Sequence, residues 1–339
     1  MRDKQLDIYR TLLMLYIPCV VHVMYWLGDG REPWLSLLLV EIPLIFFVSG
    51  ASLSVSHPRR GLWETIVNRF KRVIAPYYIY AAVLLVLGAI TVLAYRAMGL
   101  PHPYALDLSR YGIRDVASIL LCHDIPQFPF IWHLWFIPIY LILSCTFPLQ
   151  VKLVAKVGKW SYIAACVLLF GVTLFINDIS LVRQVLCYNI FMVAGYLFYK
   201  KANPAITALV GATALAIVLA GVFIARVPFC PMQSHKFPPD WLYAAYNIAV
   251  LCLVALVLGR ITLRGNRLLS IWNERGYNIY LYQSVVFAII HLVRQETYAG
   301  LPSPLVKAAI DACLVFALST GLSCVTYPLE RIVMKKLRL

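Results

Sequence analysis

The sequence predicts an all-α integral membrane protein, a bundle of about ten transmembrane helices with both termini in the cytoplasm. Three observations support this fold class. Hydrophobic residues make up 62% of the 339 positions and charged residues only 13%, too few charges to cover a soluble globule of this length. Apolar residues gather in stretches of about 20, the length of a helix that crosses a bilayer. Lysine and arginine are concentrated in alternate connecting segments.

Ten stretches of the sequence fit a transmembrane helix. The predicted spans are 9–27, 34–56, 73–95, 131–150, 159–177, 181–199, 204–225, 241–259, 277–293 and 305–327. The first span is too long and too poorly flanked for a cleaved signal peptide. The longest stretch between spans, about 96–130, is expected to be one extended loop.

The basic residues predict the orientation of the bundle. With the N-terminus inside, every inner connecting segment is basic, and these segments hold most of the 30 lysines and arginines. This distribution, together with contact to anionic lipid, accounts for the net charge of +15. We therefore expect the lipid bilayer, and not nucleic acid, as a partner.

The cysteines and the loop histidines give no metal motif. None of the nine cysteines forms a CxxC pair, and the "CHD" of the long loop has no second ligand pair at a regular spacing, so no metal site is expected. Cys122 and Cys230 both lie in predicted outer loops, where an oxidising compartment would allow them to pair.

Arg69 and Arg72 stand immediately before the third predicted span. In an α-helix, positions i and i+3 share a face, and two guanidinium groups on one face suit a phosphate ligand. The alternative is that both arginines snorkel to lipid head groups and serve topology alone. The spacing by itself leaves both interpretations open.

Three further candidate residues lie within the first two predicted spans. His22, in the outer half of the first span, is a candidate general base, or else a histidine hydrogen-bonded between helices. Arg10 begins the same span, roughly 18 Å of helical rise away. Glu41, in the second span, is either a catalytic group or the structural partner of an arginine.

Polar residues also open the fourth and ninth spans. His133 and Trp135 lie in "HLWFIP", where anchoring at the membrane interface is the alternative to a binding role. In "GYNIYLYQ", Tyr277, Tyr280 and Gln283 recur every three residues, so this stripe is expected to face the bundle.

Five segments together resemble the membrane-bound acyltransferase-3 family, ten-span bacterial enzymes that modify cell-surface glycans. The segments are "LDIYRTLLMLYIPCVVH", "IPLIFFVSGASLS", "NRFKRVIAPYY", "HLWFIP" and "GYNIYLYQ". The resemblance covers nearly the whole chain as one domain, 1–339. The arginine pair and the histidine of the first span are its most specific features.

The resemblance implies roles for Arg69, Arg72 and His22, and the other candidates below are assigned from their positions in the sequence. Arg69 and Arg72, with Arg10, would hold acyl-CoA, with acetyl-CoA as the default donor, at the cytoplasmic side of the bacterial inner membrane. His22 would deprotonate an acceptor hydroxyl or carry the acyl group transiently, with Glu41 as a second catalytic candidate. The expected substrate-binding residues are Trp135, His133, Tyr280 and Gln283. The outer loop "PMQSHKFPPDW" could shape a pocket for a glycan acceptor.

Two departures from the family pattern affect these assignments. Relatives usually place a basic residue eleven positions before the histidine, whereas Arg10 and His22 are twelve apart. A kink at Pro18 or a one-residue π-bulge would absorb the extra residue; otherwise Arg10 is not the equivalent residue. Many relatives have histidine where this chain has Gln283, which leaves that position a hydrogen-bonding role.

Three functions are compatible with these features. The first is an O-acyltransferase of surface or periplasmic carbohydrate. The second is an exporter or flippase of a polysaccharide or lipid-linked glycan, and the third is a structural subunit of a synthase complex. His22 with the arginine pair favours the first, because a transporter does not need a site for coenzyme A. No Walker loop and no Gly-x-Ser-x-Gly motif supports ATP-driven pumping or serine hydrolysis.

Overall fold

The computed structural model describes residues 3–27, 33–56, 61–99, 113–121, 132–258, 267–297 and 303–336. These residues form helices and contain no β-strand. In chain order the α-helices are α1 (Lys4–Tyr16), α2 (Glu41–Ser56), α3 (Leu62–Arg69), α4 (Ala75–Ala97), α5 (Ile113–Leu120), α6 (Phe136–Val157), α7 (Lys159–Thr173), α8 (Ser180–Phe198), α9 (Pro204–Phe223), α10 (Met232–Lys236), α11 (Trp241–Leu258), α12 (Arg267–Thr297) and α13 (Pro304–Lys336).

Four shorter segments of other helical types adjoin these helices. A π-helix, Ile17–Leu27, continues α1, and a second π-helix, Phe70–Ile74, joins α3 to α4. 3₁₀-helices at Pro33–Leu38 and Trp132–Leu134 precede α2 and α6. These segments contain or closely precede residues of the candidate site: His22, Arg72, Glu41 and His133.

The all-α membrane fold class is confirmed. Within the described residues, seven helical stretches are long and apolar enough to cross a bilayer: Lys4–Leu27, Pro33–Val55, Leu62–Ile90, Trp132–Val157, Ser180–Phe198, Pro204–Phe223 and Pro304–Lys336. The predicted spans 159–177 and 241–259 coincide with the shorter apolar helices Lys159–Thr173 and Trp241–Val257. The predicted span 277–293 lies within α12. The number of spans that cross, and the side of each terminus, stay predictions.

The expectation of one extended loop over 96–130 is wrong. Helix α4 continues to Ala97, and α5 occupies Ile113–Leu120. The apolar residues of "IRDVASIL" recur at the three- and four-residue intervals of an amphipathic helix, which explains α5. Residues 100–112 and 122–130 lie outside the described part of the chain.

The chain divides into two compact units. The first unit is Met1–Arg60 with Thr146–Glu274, and the second is Gly61–Cys145 with Arg275–Leu339. The division falls within α6 and within α12.

In the first unit, glycines allow α2 and α8 to approach closely. A Cβ atom added to Gly50 would lie 1.8 Å from the carbonyl oxygen of Met192. A Cβ added to Gly195 would lie 1.9 Å from the carbonyl oxygen of Phe47. Small residues of this kind let membrane helices pack backbone against backbone, so the two glycines fix the α2–α8 contact.

Asp3 connects the start of α1 to the end of α8. Its carboxylate accepts hydrogen bonds from the backbone N–H of Gln5, from the Tyr199 hydroxyl at 3.1 Å and from the Lys200 ammonium at 2.7 Å. Burial opposes ionisation of Asp3, but the hydrogen bonds from Lys200, the Leu6 backbone and Tyr199 outweigh it and lower the pKa of this carboxyl.

In the second unit, tyrosine hydroxyls cross-link α4 and α12. The hydroxyls of Tyr80 and Ser284 lie 2.7 Å apart, and both residues are buried. Tyr277 donates a hydrogen bond of 3.1 Å to the carbonyl oxygen of Val73, in the π-helix that leads into α4. Because each hydroxyl is satisfied by a partner on the other helix, α12 is held in register against α4.

Candidate functional site

His22 lies on the π-helical part of the first span. The backbone N–H of Ile17 still bonds to the carbonyl of Leu13 in the α pattern, but Pro18 has no N–H and cannot continue it. From Ile17 to Leu27 the chain follows the wider π-helix. The His22 side chain is half-buried. The local sequence therefore places the candidate base, His22, on a π-helix, which is a rare type of helix.

The π-helix resolves the spacing of Arg10 and His22. Twelve α-helical steps would leave the two residues about 120° apart around the helix axis. A π-helix turns only about 80° per residue, so seven α steps and five π steps bring them within about 30° of one face. Of the two expected ways to absorb the extra residue, a kink at Pro18 or a one-residue π-bulge, the structure is nearer to the second, but the π-helix extends over 11 residues.

Arg10 contacts the neighbouring helix α2. Its Nη2 donates a hydrogen bond of 2.6 Å to the Ser52 hydroxyl, and its Nη1 lies 3.7 Å from the carboxylate of Asp7. The side chain keeps 44% of its surface exposed, so donor groups are available to a ligand. The role of Arg10 in binding the donor stays a prediction.

Glu41, the first residue of α2, forms a buried ion pair with Lys236 at the end of α10. The Glu41 and Lys236 side chains are 1% and 6% exposed. The sequence analysis expected an arginine as the structural partner of Glu41; the partner is a lysine. The Oε1 atom of Glu41 accepts the Lys236 hydrogen bond, whereas its buried Oε2 has no hydrogen-bond partner among the described residues.

Four tyrosines lie within electrostatic range of the Glu41 carboxylate. Tyr16, Tyr25, Tyr188 and Tyr243 all interact electrostatically with it. Tyr16 and Tyr25 are nine residues apart, which is half a turn out of phase in an α-helix but about two full turns in a π-helix. The π-helix therefore places both of these tyrosines on the same side of the first span.

Lys236 is held in place by the segment on either side of it. The backbone N–H of Met232 donates to the Ser36 hydroxyl at 3.0 Å, which fixes the start of α10. His235 contacts Asp240 through Nδ1 at 2.6 Å and the carbonyl of Pro228 through Nε2 at 2.7 Å. We call residues 228–240 the strap. The strap positions Lys236 before any ligand binds.

In the second unit, Arg69 is half-buried at the end of α3 and contacts Tyr140 on α6. Its Nη1 donates a hydrogen bond of 3.0 Å to the Tyr140 hydroxyl, and the guanidinium carbon lies 5.7 Å from the centre of that ring. The Nε–H is buried and has no hydrogen-bond partner among the described residues. One N–H of this group therefore remains for a ligand.

Arg72 does not share the α-helical face that the sequence analysis assumed. It lies in the π-helix Phe70–Ile74, in which the Ala75 N–H bonds to the carbonyl of Phe70, five residues back. Over this segment three steps turn about 240°, so Arg69 and Arg72 point about 120° apart instead of about 60°. Arg72 is exposed and Arg69 is not. The two arginines thus offer one half-buried guanidinium that is held by Tyr140 and one exposed guanidinium.

The structure brings together two of the four predicted substrate-binding residues. The Tyr280 hydroxyl donates a hydrogen bond of 2.6 Å to the His133 carbonyl, and the two rings lie 5.0 Å apart. Both residues are buried, as is Gln283, and Tyr277 is half-buried, so the predicted polar stripe faces the interior. Trp135 is half-buried. Their part in binding substrate stays a prediction.

Several buried polar residues were missed by the sequence analysis. Lys236 was noted only as part of a loop, and Tyr140 was not selected at all. Asp311 and Glu330, both on α13, are 0% and 7% exposed, and Glu330 accepts a hydrogen bond from Asn278. The signal for the carboxylates was present, since an acidic residue inside an apolar span is costly and needs a reason.

Some predictions concern residues beyond the described part of the chain. Cys122, His123 and Asp124 lie there. Cys230 is a free thiol whose Sγ lies 3.3 Å from the carbonyl oxygen of Pro33. Its pairing with Cys122 stays a prediction.

Comparison with known proteins gives one family. The profile of the acyltransferase 3 family, described as an acyltransferase domain, matches residues 3–328. No curated protein and no solved structure matches the chain. The match includes His22, Glu41, both arginines of the 69–72 pair and the strap.

Proposed function

Because the chain belongs to the acyltransferase 3 family, we propose that this membrane acyltransferase moves an acyl group from cytoplasmic acyl-CoA to a hydroxyl of a periplasmic or surface carbohydrate. Acetyl is the acyl group that we propose first. The inner membrane is the proposed location, and the protein works without a metal.

The observation that carries this proposal is the hydrogen bonding of Arg69: the Tyr140 hydroxyl holds the guanidinium, and its Nε–H has no partner among the described residues. A guanidinium with an uncommitted N–H, fixed by Tyr140 and followed by the exposed Arg72, suits an anionic donor with several phosphates. Lipid contact and topology would be served by exposed lysines and need no such fixation. We assign the phosphates of coenzyme A to Arg69 and Arg72.

The proposed reaction is a direct acyl transfer. His22 takes the proton of the acceptor hydroxyl as its oxygen attacks the thioester carbonyl carbon. A C–O ester bond forms, the C–S bond breaks, and the leaving coenzyme A thiolate takes up the proton from His22. In the alternative path, His22 itself carries the acyl group between donor and acceptor.

The test follows coenzyme A release from radiolabelled acetyl-CoA in nanodiscs, with and without a glycan extract of the source cell envelope. We expect release that rises with the extract and that falls at least about a hundredfold in His22→Ala, the usual size of a general-base contribution. His291→Ala is the matched control, because His291 is exposed and belongs to no assigned site.

Two results would contradict the proposal. One is full activity in a folded His22→Ala variant, which would remove its catalytic role. The other is wild-type protein that neither binds acetyl-CoA nor releases coenzyme A; this would favour the exporter or flippase instead.

A further inference from the structure

The ion pair of Glu41 and Lys236 has a property that a purely structural pair lacks. A buried carboxylate needs its hydrogen-bonding capacity filled, because an unsatisfied acceptor loses its hydration without compensation. Lys236 fills one oxygen of Glu41, and the buried Oε2 has no hydrogen-bond partner among the described residues. The site thus retains one strong acceptor after the protein has made its own contacts.

The chemistry around Oε2 restricts what can bind there. Lys236 already balances the charge of Glu41, so a second cation is not needed and an anion would be repelled by the carboxylate. A neutral group that donates a hydrogen bond fits best, and a hydroxyl is such a group. Tyr16, Tyr25, Tyr188 and Tyr243 lie within electrostatic range of it and bring aromatic rings and further hydroxyls to the same region. Aromatic rings beside a carboxylate suit an uncharged sugar.

The elements that form the site also connect it to the candidate base. Tyr16 and Tyr25 flank His22 in the first span, and Glu41 begins α2 in the second span. The strap, which supplies Lys236, follows α9 in a predicted outer loop. All of these residues belong to the first unit.

We propose that Glu41 and Lys236, with these four tyrosines, form the acceptor subsite, in which the free oxygen of Glu41 accepts a hydrogen bond from a hydroxyl of an uncharged sugar. This assignment rests on the proposed function, because it names the acceptor contact of that reaction. It makes Lys236 and Glu41 binding residues and distinguishes them from His22, which handles the proton.

Single substitutions would not separate this role from a structural one. Removing Lys236 alone leaves a buried, uncompensated carboxylate, which by itself destabilises a protein strongly. The double variant Glu41→Leu/Lys236→Met removes both charges together and replaces them with apolar side chains of similar size, an exchange that proteins often tolerate. Lys201→Met, at an exposed lysine, is the matched control.

The experiment titrates the envelope glycan extract in the coenzyme A release assay and compares half-saturating concentrations. We expect the double variant to fold, to keep the wild-type KM for acetyl-CoA, and to need at least about tenfold more glycan, the effect of losing a hydrogen bond to a charged group. Lys201→Met should match the wild type. Melting temperature in detergent reports folding independently of activity.

The outcomes separate the two levels of the proposal. A folded double variant with wild-type half-saturation would overturn the acceptor subsite and leave the acyltransferase proposal standing. Wild-type protein without glycan-stimulated release would overturn the acyltransferase proposal first, and the subsite with it. If this double variant fails to fold, the reversed pair Glu41→Met/Lys236→Leu decides the question: it also removes both charges and the carboxylate acceptor, and unchanged glycan half-saturation in it would equally overturn the subsite.

Discussion

At the scale of single residues, charge balance inside the membrane explains the contact that mattered most. A carboxylate inside the membrane needs a cation to balance its charge, and the sequence contains many, so the expected structural partner of Glu41 was an arginine. The partner lies 195 positions away, in the strap. A lysine among prolines in an outer loop was the available signal, because such a residue is free to fold back while the arginines near the spans serve topology.

The contact between Arg69 and Tyr140 predicts how donor binding responds to substitution. We expect Arg69→Lys to raise the KM for acetyl-CoA at least about tenfold with little change in kcat, because lysine cannot offer the planar guanidinium. Tyr140→Phe should raise the same KM a few-fold, since it removes one hydrogen bond of about 1 kcal/mol and keeps the ring. The measurement is initial-rate kinetics in nanodiscs.

Arg96→Ala controls for loss of a basic side chain, since Arg96 is exposed at the end of α4. An unchanged KM in an inserted, folded Arg69→Lys protein would show that the donor phosphates bind elsewhere.

The sequence predicted the candidate residues better than their surroundings. His22, Glu41 and the arginine pair were identifiable because ionisable groups in apolar segments are rare and motifs preserve their spacing. The contacts of each candidate residue were not identifiable, because they involve partners far along the chain. Tyr140 lies 71 positions from Arg69, and one tyrosine among 21 carries no mark of its contact.

At the scale of elements, a proline lies within or shortly after each of the two π-helices. Pro18 follows the last α-helical bond of the first span, and Pro76 follows the π-helix Phe70–Ile74. The sequence analysis anticipated the first of these from the spacing of Arg10 and His22. It missed the second because nothing in the sequence contradicted α-helical geometry there, and the two arginines were consequently placed on one face.

The glycines between α2 and α8 predict a measurable difference in stability. Gly50→Ala should lower the melting temperature by several degrees, because its Cβ would collide with the Met192 backbone and overpacking costs about 1–3 kcal/mol. Gly171→Ala, on α7, should leave the melting temperature nearly unchanged, since an added Cβ there meets nothing within 4 Å. Thermal unfolding followed by tryptophan fluorescence in detergent compares the two.

A Gly50→Ala protein as stable as Gly171→Ala would mean that α2 and α8 do not pack through their backbones at this point.

At the scale of the whole molecule, the charge distribution predicts the orientation in the membrane. We expect a green fluorescent protein fused to the C-terminus to fluoresce, and alkaline phosphatase fused there to be inactive, because basic connecting segments stay in the cytoplasm. Alkaline phosphatase inserted after Gly99, in the first long outer segment, should be active. Active phosphatase at the C-terminus would contradict the predicted cytoplasmic location of that terminus.

The π-helix of the first span has a consequence for how such chains are recognised. A residue inserted into an α-helix usually rotates all the following side chains about the helix axis. In the first span, the change from α-helix to π-helix restores the direction of those side chains. Two related chains can therefore differ in the number of residues between the basic residue and the histidine and still keep the same angle between the two side chains. A search pattern with a fixed gap would pass over this chain, whereas one that measures rotation about the helix axis would retain it.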